Sequence, residues 1–180
     1  MSVAALSLFA LEGIPLISKG DNVGAIIAQA LSLSNQEPED GDVLVLAQKI
    51  VSKAEGRAVR LDTVEPSPQA RKLAAEVDKD PRVVELILGE SRQVIRKKPG
   101  VIIVEHLLGY ILANAGIDRS NVQSEEDWVL MLPVDPDGSA EKIRKILQDH
   151  FSVHIGVIIA DSVGRAWRLG TTGMALGSAG

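Results

Sequence analysis

The chain has 180 residues, of which 46% are apolar and 24% charged; that balance can bury a core without a covalent staple and excludes disordered and collagen-like classes. Cysteine is absent, which excludes disulfide scaffolds, thiolate zinc sites, iron–sulfur clusters and a cysteine nucleophile. The net charge is −5, the bases are scattered and only 3% of residues are aromatic, so no nucleic-acid partner is expected.

In chain order, residues 4–11 read as a strand stopped by Glu12-Gly13-Ile14-Pro15. That stretch lacks the basic n-region of a signal peptide, and no run reaches the roughly 20 apolar residues that span a bilayer. No membrane partner and a cytoplasmic location are therefore expected. A helix follows Asp21-Asn22, with Val23, Ile26, Ile27, Ala30 and Leu31 at helical spacing. After a polar loop over residues 34–42, Val43–Ala47 reads as a buried strand that runs into a short helix ending at Gly56. Ser67-Pro68 and Asp80-Pro81 each pair an N-cap with proline at the first helical position, so two helices start there, the second ending near Gly89. Strand-like runs follow at residues 93–96, 101–106, 110–113 and 128–132. Asp135-Pro136-Asp137-Gly138-Ser139 opens a helix with Ala140, Ile143, Ile146 and Leu147 on one stripe and a Glu141–Lys145 pair on another face. The acids of that opening read as capping. His154–Ala160 reads as a buried strand ending at Asp161, and a glycine-rich tail closes the sequence as if a further element were beginning. Strands and helices alternate without a strict βαβ period, which argues for an α+β fold with mixed or antiparallel sheets and flanking helices.

The P-loop pattern, the dinucleotide G-x-G-x-x-G and the serine elbow are all missing. His106, His150 and His154 have no metal-ligand spacing and read as surface or strand-edge residues. Two carboxylates stand out. Asp161 sits where an apolar strand gives way to Ser162-Val163-Gly164-Arg165, and Asp118 follows Asn114-Ala115-Gly116-Ile117. Magnesium is commonly held by one or two carboxylates together with substrate phosphates, so two such positions suffice; the competing reading is that both acids cap turns. Lys53 and Arg57, four residues apart after a buried strand, suit a phosphate grip, and Arg165 and Arg168 would add charge for a polyanion.

Together these stretches are more specific than any one alone. Glu12-Gly13-Ile14-Pro15-Leu16-Ile17, Gly41-Asp42-Val43-Leu44-Val45, Val51-Ser52-Lys53-Ala54-Glu55-Gly56-Arg57, Asn114-Ala115-Gly116-Ile117-Asp118-x-Ser120-Asn121-Val122, Leu132-Pro133-x-Asp135-Pro136-Asp137-Gly138-Ser139-Ala140 and Gly156-Val157-Ile158-Ile159-x-Asp161-Ser162-x-Gly164-Arg165 run in the order found in the coenzyme F420:L-glutamate ligases. Over essentially its whole length (1–180) the chain resembles that family's ligase domain. The resemblance implies a GTP-dependent ligase that adds L-glutamate through γ-linkages to coenzyme F420-0, by way of an acyl phosphate. It implies Mg2+ or Mn2+, with K+ as a helper, and a homodimer. By the same resemblance Asp118, Asp161 and Ser162 are metal ligands, and Asp118, Asp161 and Lys53 serve catalysis. Ile14, Pro15, Leu16, Ile17, Gln48, Lys49, Lys53 and Asn121 lie at the GTP site. Family members continue past the position of Gly180, so a C-terminal part carrying further nucleotide and metal contacts is expected to be missing here. Two alternatives stay open: a nucleotide-binding or dimer-forming module without catalysis, and an amide ligase with a different acceptor.

Overall fold

Five helices and eight strands are laid out in a computed structural model that describes residues 5–34, 37–119, 127–164, 167 and 169–180. The helices are α1 (Val23–Leu33), α2 (Gln48–Ala54), α3 (Pro68–Val77), α4 (Pro81–Gly89) and α5 (Pro136–Phe151). The strands are β1 (Val43–Ala47), β2 (Ala58–Arg60), β3 (Ser91–Lys98), β4 (Val101–His106), β5 (Ile111–Ala113), β6 (Trp128–Leu130), β7 (Gly156–Gly164) and β8 (Thr171–Ala179). They form a mixed sheet β1-β7-β8, an antiparallel sheet β3-β4-β5 and a ribbon β2-β6. The fold is α+β, as the irregular alternation of elements implied.

The helix starts follow from their caps. The side chains of Asn22, Ser67, Asp80 and Asp135 each accept a backbone N–H from the first turn of α1, α3, α4 and α5, and proline opens the last three. Asp135 and Asp137 are structural, as expected: Asp135 closes the first turn of α5, and Asp137 accepts the N–H of Ser178 in β8 at 2.8 Å. Gly177 is required beside them, because a Cβ there would stand 2.4 Å from the Pro136 carbonyl carbon.

Two cores result. The first packs α1 and α5 on the mixed sheet through Val23, Ile27, Leu46, Ala140, Ile143, Leu147, Val157 and Ile159. The second packs α3 and α4 on β3-β4-β5 through Leu73, Val77, Val84, Ile87, Ile102 and Val104. A small cluster of Leu112, Leu132 and Leu176 joins them, reinforced by the Tyr110 hydroxyl donating to the Leu176 carbonyl.

Three expectations fail. The described part of residues 4–11 is not a strand, and Leu6, Leu8 and Phe9 are exposed with no neighbouring strand to bury them. The glycine-rich tail is itself a strand, β8, which runs antiparallel to β7. The strand expected to stop at Ala160 continues to Gly164, so Asp161 lies within β7 opposite Met174.

Candidate functional site

Asp161 owes its environment to strand alternation. Val157, Ile159 and Asp161 share one side of β7, the first two fully buried in the first core. Asp161 thus continues an apolar face just where the core ends. Its position is adjusted by a bulge: the pairing Ile159↔Gly177 is followed by Ala160↔Ala175, which leaves Leu176 as an extra residue in β8. Bulges of this kind bend a strand and re-aim neighbouring side chains. Alternation places the side chain of Ser162 on the opposite side of β7, where the residue is exposed.

Asp118 arrives by a different route. After β5, Asn114, Ala115 and Gly116 have φ of 52°, 53° and 68°, a left-handed turn closed by Ile117 N–H to the Asn114 carbonyl. Left-handed runs are costly for residues with a Cβ. The turn is held from both sides: Ala115 is fully buried in the second core, and Asn114 Oδ1 accepts the N–H of Ile102. Gly116 carries no Cβ because one would lie 2.8 Å from Leu132 Cγ. Asp118 then exchanges both backbone hydrogen bonds with Leu130, fixing its main chain beside β6.

Helix α2 brings the bases. Lys49 Nζ lies 2.5 Å from Asp118 Oδ2, an ion pair that ties α2 to the second core. Lys53, one turn further on, has no ion-pair partner among the described residues. Gln48 is buried, its Oε1 accepting from the Ser52 hydroxyl at 2.7 Å, so its carbonyl end is turned inward. The loop of Ile14, Pro15, Leu16 and Ile17 is tied to the same helix, since Gly20 N–H donates to the Ala54 carbonyl. Ile14 packs on the first core while Pro15 and Leu16 are exposed.

The electrostatics join these parts. Burial pushes the Asp161 carboxyl above the ordinary aspartate range; a hydrogen bond from the Ser162 backbone opposes this, the charge of Asp118 adds to it, and the Lys49 ammonium opposes it. The Asp161 carboxyl thus responds to the charges of Asp118 and Lys49, although the three come from β7, the β5–β6 connection and α2. Two converging carboxylates, one half-desolvated and one already neutralised by an ammonium, are a donor set suited to a hard divalent cation. Among the described residues no third acid or histidine joins them. The site thus fits an ion that takes its remaining ligands from phosphate or water rather than one caged by protein.

Two readings of the sequence are corrected. Arg57 is not free to grip phosphate: its guanidinium is turned inward, 2.6 Å from Glu90 Oε2 and 2.8 Å from the Leu132 carbonyl. His106 is not a surface residue but 2% exposed, with Nε2 3.5 Å from the same Glu90 oxygen. The signal for this group was faint, because Glu90 and His106 belong to no motif and meet Arg57 only through the tertiary fold. Asn121, and with it Ser120, Arg165 and Arg168, lies outside the described residues.

The protein is thus α+β, with a candidate two-carboxylate, lysine-bearing site near the seam of its two cores. The chain belongs to the F420-0:Gamma-glutamyl ligase family, whose model matches residues 13–180. It is 45% identical over 175 residues to the coenzyme F420:L-glutamate ligase of Methanothermobacter thermautotrophicus, covering 97% of this chain and 69% of that protein. The enzyme of the same name from Methanopyrus kandleri is 43% identical over 99% of this chain and 69% of its own length. That from Archaeoglobus fulgidus is 41% identical over 97% of this chain and 67% of its own. No helix among the described residues is long and apolar enough to cross a membrane.

Proposed function

We propose that the chain is a ligase of coenzyme F420 biosynthesis that joins L-glutamate to coenzyme F420-0 at the expense of GTP. The observation that supports this reading is the Lys49–Asp118 ion pair, together with an Asp161 carboxyl that responds to the charges of both. Family membership and relatives named coenzyme F420:L-glutamate ligase support the substrates. GTP, the metal and the order of steps are carried over from the family resemblance, and the donor set is compatible with them.

Joining a carboxylate to an amine requires a better leaving group than oxide. In the proposed sequence a carboxylate oxygen of F420-0 attacks the γ-phosphorus of GTP, the bond to the bridging oxygen breaks and GDP leaves. The glutamate nitrogen then attacks the acyl carbon, phosphate departs and the nitrogen loses a proton to give the amide. Neither step needs a protein nucleophile, so positioning and charge neutralisation carry the catalysis. Asp118 and Asp161 would hold Mg2+ or Mn2+, which when bound offsets phosphate charge. Ser162 is the further ligand implied by the family, but its side chain lies on the side of β7 opposite Asp161 and is not brought to the same ion. Lys53, with no acidic partner among the described residues, faces the phosphates in this reading. Lys49 holds Asp118 in register through their ion pair and would add positive charge beside the phosphates. Ile14, Pro15, Leu16, Ile17, Gln48 and Asn121 complete the proposed nucleotide contacts, K+ the cation set, and the cytoplasm is the proposed location. A homodimer is proposed, in which exposed apolar side chains such as Leu6, Leu8, Phe9, Val43 and Val45 would be covered.

The test is incubation of the chain with F420-0, L-glutamate, GTP and MnCl2. A product heavier by one glutamyl residue, formed only with nucleotide and metal, supports the reading. GTP binding without product favours the non-catalytic module, and product with another acceptor favours the alternative ligase.

A further inference from the structure

A buried group of charges lies behind the site. Gly56, at φ +71°, ends α2 in a turn that sends Arg57 inward. The Arg57 backbone belongs to two elements at once: its N–H donates to the Ser52 carbonyl of α2, and its carbonyl accepts from Met131 N–H. The guanidinium extends both connections. Its Nε donates to the Leu132 carbonyl at 2.8 Å and a terminal nitrogen to Glu90 at 2.6 Å. Glu90 is anchored in turn, its carbonyl accepting from Leu107 N–H and its carboxylate facing His106 Nε2. The His106 ring is oriented by Leu108 N–H donating to Nδ1, and its buried Nε2, which makes no hydrogen bond among the described residues, lies 3.5 Å from Glu90 Oε2.

What Arg57 grips bears directly on Asp118. Leu130 exchanges both backbone hydrogen bonds with Asp118, Met131 bonds to the Arg57 carbonyl, and the Leu132 side chain fills the space that a Cβ on Gly116 would occupy. Residues 130–132 are therefore stapled to Arg57 on one side and support the Gly116–Asp118 segment on the other. Lys49, which pairs with Asp118, stands on the helix whose last turn Arg57 closes.

We infer that Arg57, clamped by Glu90 and His106, is the positioning residue that sets Asp118 against Lys49 and Asp161. Its planar fork is what the task requires, since one group must donate in two fixed directions to a carbonyl and a carboxylate. Lysine keeps the charge but not the fork. The consequence for metal binding rests on the proposed site, whereas the positioning itself does not.

The test uses Arg57→Lys in the full chain with two readouts. Amide exchange should speed up by about tenfold or more at Asp118, Leu130 and Met131, while Val157 and Ile159 in β7 stay within about twofold of the parent. Mn2+ affinity should fall by about 10- to 100-fold, the usual effect of removing the partner behind a ligand. Unchanged exchange at the three site amides, or an equal rise at all five, overturns the inference, the second outcome meaning a general loss of stability. Should Arg57→Lys not fold, Glu90→Gln decides the matter: it keeps the shape of the clamp, and about threefold faster exchange confined to the site amides is expected. Site amides that do not respond in that variant overturn it equally. A parent chain that binds no Mn2+ refutes the metal site and leaves the exchange result to judge the positioning.

Discussion

The two cores are assembled in opposite ways. The second is local: α3, α4 and the meander β3-β4-β5 follow one another between Pro68 and Ala113. The first is not, since β1 must find β7 in a parallel register, Val43 against Gly156. Each delivers one acid. Asp118 hangs from the end of the local meander, and Asp161 lies on the strand that closes the long loop. The proposed site requires both cores to be formed and docked, so it would report on the whole fold rather than on either half.

Removing one acid gives the largest effect expected. Asp161→Asn should lower turnover by about a thousandfold, because an amide is a much weaker ligand than a carboxylate for a hard cation. The melting temperature should hold or rise, since burial and the charge of Asp118 disfavour the ionised Asp161 in the folded chain. Equal loss of activity and stability would place Asp161 in the packing instead of the site. Turnover with MnCl2 and thermal unfolding of the same sample decide between them.

Core truncation tests whether the two halves behave as one. Leu147 is fully buried under the mixed sheet, so Leu147→Ala should cost about 2–5 kcal/mol in urea unfolding. The Leu112–Leu132–Leu176 cluster and the Arg57 clamp bridge the cores, and a single transition shifted to lower urea is the expected result. A biphasic curve would show that the second core stands without the first.

Features settled among neighbouring residues were the more legible ones, in both halves. Each N-cap named from Ser67-Pro68, Asp80-Pro81 and Asp135-Pro136 forms the bond its side chain was expected to make, because capping is settled within four residues. The strands of residues 101–106 and 110–113 were legible for the same reason. The failures are long-range. Residues 4–11 have strand-like composition, but no partner strand is present for 5–11 among the described residues, and β8 reads only as a glycine-rich tail because Gly177 and Ser178 answer to the start of α5, 41 residues away at the Asp137–Ser178 contact. Of the site, Asp118 and Asp161 could be named from their positions after apolar runs, but their proximity could not. The inward turn of Arg57 was hidden too, since it depends on Glu90, 33 residues along the chain.

Lys53 sharpens the contrast between bases that hold the fold and bases left for a ligand. Lys49 and Arg57 are paired with acids, whereas Lys53 has none among the described residues. Lys53→Ala should weaken GTP binding about tenfold, near 1.4 kcal/mol, with little change in melting temperature. Calorimetric titration with GTP and MnCl2 measures it. Equal affinity in variant and parent removes Lys53 from the nucleotide site.

The smallest effect concerns pH and touches only the clamp. His106 and Arg57 hold the Glu90 carboxyl below its ordinary value of 4.5, against the opposing pull of burial. The unfolded chain then binds the proton more readily than the folded one, so the stabilisation is complete above pH 4.5 and disappears as the pH falls through the lower folded value. Glutamine at position 90 cannot titrate. The stability gap between parent and Glu90→Gln should therefore be constant near neutrality and close below pH 4.5. Asp80 and Glu85 also have lowered carboxyls, but both remain in the variant and cancel in the difference. A gap that stays open in acid would mean that the clamp works through the shape of its hydrogen bonds alone, with no contribution from the charge of Glu90.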